Sequence, residues 1–97
     1  MDEHAVRVIR RVLGAADEFR RGEAASSALL DAAWAGERAL DNANHDEKRR
    51  LQDLALAIDA ALDPWPPPPP GDDHRRVVLA AAEPFLAVLT VAVADEA

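Results

Sequence analysis

Asn44-His45-Asp46-Glu47-Lys48-Arg49-Arg50-Leu51-Gln52-Asp53-Leu54-Ala55-Leu56-Ala57-Ile58-Asp59-Ala60-Ala61-Leu62-Asp63-Pro64 carries a start, a face and a stop for one helix. Asn44, followed three positions later by Glu47, is the capping-box arrangement, in which two side chains satisfy backbone N–H groups that have no partner in a first helical turn. Leu51, Leu54, Ala55, Ile58, Ala61 and Leu62 recur at spacings of three and four, which is one face of a helix. Asp63 precedes Pro64, whose ring pushes its neighbour out of helical geometry. A helix over about 45–62 follows.

Upstream, the same period continues. Val6, Ile9, Val12, Leu13, Ala16 and Phe19 predict a helix over about 3–20, with Asp2 as its N-cap and Gly22 as its stop. A second helix over about 24–40 places Ala25, Ala28, Leu29, Ala32, Gly36, Ala39 and Leu40 on one small-residued face, open to close approach by a neighbour. Asp41 to Asn44 reads as a turn.

Downstream, Pro64-Trp65-Pro66-Pro67-Pro68-Pro69-Pro70-Gly71 lacks the N–H donors of helix or sheet, and 64–70 is expected to form a polyproline II strut. The strut is either a stiff connection or a ligand for an aromatic-lined groove. Asp72 or Asp73 then caps a last helix over about 73–94, interrupted by Pro84 and expected to be kinked and buried on most sides. The alternation Leu89-Thr90-Val91-Ala92-Val93 could read as a strand, but no second strand is available to pair with it. The fold class is therefore all-α: one domain over 1–97, a compact four-helix bundle with a polyproline connection before a Pro-kinked last helix. Scarce aromatics, 4% of the chain with no Tyr, agree with the absence of a sheet.

Composition narrows function. Net charge is −7, and the segment 23–47 alone carries −5, six acids against Arg38. A phosphate backbone is repelled by such a surface, and the basic residues (Arg10-Arg11, Arg20-Arg21, Lys48-Arg49-Arg50) come without interleaved aromatics, so nucleic acid is not the expected partner. There is no cysteine, hence no disulfide or thiolate metal site. The apolar run Val77–Ala94 is interrupted by Glu83 and Pro84, which makes it a poor membrane span. No charged-then-apolar leader follows Met1, so a cytoplasmic location is expected.

No catalytic constellation is visible. His4, His45 and His74 each stand at an expected helix start beside acids, without the helical His/Glu spacing of a metal site. Hydroxyls are confined to Ser26, Ser27 and Thr90, and the four glycines are too scattered for a phosphate cradle. No enzyme, cofactor or metal is expected.

One feature suggests binding. On the helical wheel, Leu30, Trp34, Glu37 and Asp41 fall opposite the alanine face of the second helix, beside Asp31. An apolar pair ringed by acids suits a docking anchor with a charged rim, to which Asp46, Glu47, Asp59 and Asp63 can add. The alternative places Trp34 in the core, under the last helix or the strut.

Several of these segments form a pattern. Phe19-Arg20-Arg21-Gly22-Glu23, a second helix with an aromatic near its middle, Leu51-x-x-Leu54-x-x-x-Ile58-Asp59-Ala60, a proline-broken acidic loop, and a last helix beginning near Arg76-Val77 together resemble the small bacterial colicin-type self-protective immunity proteins over about residues 12–90. The second helix is richer in alanine, and the proline loop longer, than that pattern has. The resemblance implies an acidic inhibitor that binds another protein, a basic toxin domain, and neutralises it. A structural bundle or adaptor, with a homodimer among its forms, is the alternative.

Overall fold

The structure, a computed structural model, describes residues 2–41, 44–62 and 72–95. Among them are four helices and no strand: α1 (Glu3–Arg20), α2 (Ser26–Ala39), α3 (His45–Leu62) and α4 (Asp72–Ala94). The polyproline segment lies outside the described residues. Pro84 stands inside α4, and the Leu89–Val93 alternation is helical.

The boundaries have local causes. Asp2 Oδ1 accepts from Ala5 N–H at 2.8 Å and caps α1. That bond, then the Asn44 amide at 3.0 Å, holds the Asp2 carboxyl below its ordinary range. The end of α1 is a Schellman motif: Glu23 N–H reaches Glu18 O, Gly22 N–H reaches Phe19 O, and Gly22 takes φ 76°. Glycine reaches that left-handed conformation without the Cβ clash other residues suffer. Because the motif occupies the chain through Glu23, α2 begins at Ser26, two residues later than expected.

The helices form a closed ring in which each packs on its chain neighbours and α1 on α4. Ties between helix ends show the directions. His4 Nε2–H donates to Ala39 O at 2.9 Å, joining the start of α1 to the end of α2. Lys48 Nζ donates to Glu37 O and Leu40 O at 3.1 and 3.2 Å, joining the start of α3 to the same end. Arg75 lies over the Phe19 ring at 5.6 Å, joining the start of α4 to the end of α1. Adjacent helices are therefore antiparallel. The radius of gyration is 13.3 Å, close to the roughly 13 Å of a compact 100-residue domain.

Most core positions on α1 and α3 agree with the periodicity: Ile9, Val12, Ala16 and Phe19 of α1 and Leu51, Leu54, Ala55, Ile58 and Ala61 of α3 are buried, whereas Val6, Leu13 and Leu62 are half-buried and Ala5 and Val8 join the core in their place. Two expectations need correction. On α2 the buried residues are Leu29, Ala33 and Gly36, followed by Leu40, whereas Ala25, Ala28 and Ala39 are exposed and Ala32 half-buried. The helix is rolled by about 50°, half a residue step at 3.6 residues per turn, because seating Leu29 and Leu40 centrally removes more apolar surface from water than seating alanines. Second, α4 is covered on one face only. Val78, Ala82, Leu86, Leu89 and Val93 are buried, while Val77, Ala80, Pro84, Ala87, Val88 and Val91 are exposed. Three other helices can cover only one side of it.

Lys48 shows what the basic triplet contributes. Its ammonium serves the carbonyl end of α2, where a positive charge also opposes the helix dipole, and stands 3.5 Å from Glu37 Oε1. Lys48→Met keeps the stem and removes the charge. Urea unfolding followed by far-UV circular dichroism is expected to show a loss of about 1–2 kcal/mol; no change would show that water serves those carbonyls equally well.

Candidate functional site

The roll of α2 relocates the expected anchor. Leu30 and Trp34 are half-buried and pack against the core, on its flank and not opposite it. Glu37, also half-buried, is turned to Lys48 of α3. The Lys48–Glu37 contact fixes the register of the seam. Leu30 lies seven residues before Glu37 and Leu56 eight beyond Lys48, so antiparallel helices rising roughly 1.5 Å per residue bring both to one level. Leu56 is 50% exposed. Leu30 and Trp34 thus stand at the edge of the seam, with Leu56 at about the same level on the outward side of α3.

Both helices also expose acids. Asp31 is exposed on α2 and Asp59 on α3, on the side of α3 that carries Lys48. Asp41 and Asp46 are exposed, and Glu47 is half-buried, at the end of the seam where α2 meets α3. Asn44 is buried there, with its amide donating to Asp2 Oδ2 and Asp41 Oδ1 at 3.0 and 3.1 Å, so Asp41 helps hold the turn. Asp63 lies outside the described residues. Leu56 was not among the expected site residues because it falls off the core stripe of its helix. A large apolar residue among exposed positions was the signal that could have found it.

Two of the histidines, His4 and His74, make contacts between helices. His4 bonds to Ala39 O, His45 stands 3.3 Å from Asp46, and His74 Nε2 is 3.4 Å from Ser26 Oγ. Thr90 Oγ1 donates back to Leu86 O within α4 at 2.8 Å. No group of three or more metal-binding side chains occurs among the described residues.

The grooves on the described surface include two lined mainly by apolar atoms. One, about 420 Å³, opens between Arg50 of α3 and the outer side of α4 at Ala87, Val88, Val91, Ala92 and Asp95. The other, about 70 Å³, lies between α1 and α2 near Gly36. By length and composition His74–Ala94 could also cross a membrane, with a mean hydropathy of 2.2 and 28% of that window buried.

No protein-family model, curated protein or solved structure matches this chain. The likeness to immunity proteins stands on the residue pattern alone.

Proposed function

We propose that this chain is a non-catalytic helical module that docks a basic protein on the α2–α3 seam, in the narrower form an immunity-type inhibitor that neutralises a toxin domain. The observation that carries the reading is a set of incompletely buried apolar side chains on α2 and α3, Leu30, Trp34 and Leu56, on helices that also expose Asp31 and Asp59. Apolar anchors give an interface its affinity once water is expelled, and the surrounding charges set encounter rate and choice of partner. A chain of net charge −7 draws in a cationic partner and repels polyanions.

Trp34 suits this work because it is already held. A ring packed along one edge loses little side-chain freedom on binding, so more of its burial appears as affinity. In this reading the missing N–H of Pro84 bends α4. An inhibitor of this kind works by covering the partner's functional surface or filling its cationic cleft, with no bond made or broken.

The test uses the purified product of the reading frame adjoining this gene, titrated calorimetrically with the full chain. Trp34→Ala is expected to weaken binding by about 2 kcal/mol or more, roughly 30-fold, with helicity unchanged. Asp31→Lys with Asp59→Lys is expected to slow association and flatten its dependence on salt. Wild-type affinity in both variants would remove the seam from consideration. Loss of helicity in Trp34→Ala would assign the ring to the core, leaving Leu56→Asp to decide whether the seam binds.

A further inference from the structure

We draw no further inference here: the strongest candidate, the end of the bundle where Arg75 lies over Phe19 and His74 meets Ser26 at the start of α2, which no side chain caps, carries nothing because it rests on a helix N-terminus, with Arg75 only half-buried and no second observation that points to a ligand.

Discussion

Phe19→Ala is expected to cost about 3–5 kcal/mol of folding stability, the largest effect of any single truncation here. Phe19 is 2% exposed, occupies the last turn of α1, and meets the core where α1 gives way to the Schellman turn. The chain has only two Phe, and the second, Phe85, is half-buried, so no neighbouring aromatic can move in to refill the space. Truncation also removes the ring beneath the Arg75 guanidinium, forfeiting a cation–π attraction of about 0.5–1 kcal/mol or more. A domain of about 100 residues is stable by only about 5–15 kcal/mol, so the variant should melt roughly 15–30 °C lower. Phe19→Leu, which keeps most of the volume, should lose less than about 1.5 kcal/mol. Chemical unfolding with unchanged slope and a shifted midpoint is the measurement. A loss below about 1 kcal/mol for the alanine variant would mean that the end of α1 is not part of the cooperative core.

The same region shows why a small, alanine-rich chain can hold a fixed shape. Its stability comes from few large residues at the centre, and its register comes from polar ties at the ends: Asp2 to Asn44, His4 to the end of α2, Lys48 to the same carbonyls, Arg20 to Glu83. Arg20 and Glu83 are substantially exposed, and such pairs contribute at most about 1 kcal/mol. Their value lies in fixing which helix faces which. A bundle whose polar side chains are used in this way still leaves large apolar side chains uncovered, Leu56 on α3 and Val77, Val88 and Val91 on α4.

How much of this could be read from the residues differs by element. For α1 and α3 the core stripe consists mostly of large side chains at helical spacing, and Asp2 and Gly22 mark the ends of α1, so their positions were legible; the Asn44 N–H, which the capping box assigns to Glu47, donates instead to Asp41 O at 3.1 Å. In α2 the alanines dilute the signal. Ala25, Ala28, Ala32 and Ala39 look apolar on a wheel, but each contributes little burial, and Leu29, Ala33 and Gly36 decided the orientation through their fit against α1 and α3. That half-step roll carried Trp34 from an expected opposite face to the flank of the core. For α4 periodicity could not decide, because apolar residues occupy two sides, and only the placement of the other three helices shows which is covered. The set of Leu30, Trp34 and Leu56 was half legible. The α2 residues and their acids were visible, whereas the contribution of Leu56 depends on the register of two helices, which no single segment encodes.

Gly36→Val is expected to destabilise the fold by about 3 kcal/mol or more, for a reason opposite to that of Phe19→Ala. A Cβ at Gly36 would stand 2.9 Å from Val12 Cγ2, 3.1 Å from Leu51 Cδ1 and 3.4 Å from Val8 Cγ1. These atoms belong to α1 and α3, so α2 is held against both neighbours at a separation that only a hydrogen at this position permits. Adding one methyl already requires both neighbours to give, and the gain of about 1 kcal/mol in helix propensity from glycine to alanine offsets part of that cost. Adding an isopropyl group exceeds what rotamer changes can absorb, and overpacking of this kind costs about 1–3 kcal/mol or more. Gly14 supplies the control. It lies inside α1 on the exposed side with nothing within 4 Å of an added Cβ, so Gly14→Ala should gain about 0.5–1 kcal/mol from propensity alone. Equal behaviour of the two glycines in parallel urea titrations would mean that α2 does not approach its neighbours closely at Gly36. Opposite signs would show that the same residue type is a packing requirement at one position and a dispensable weakness at the other.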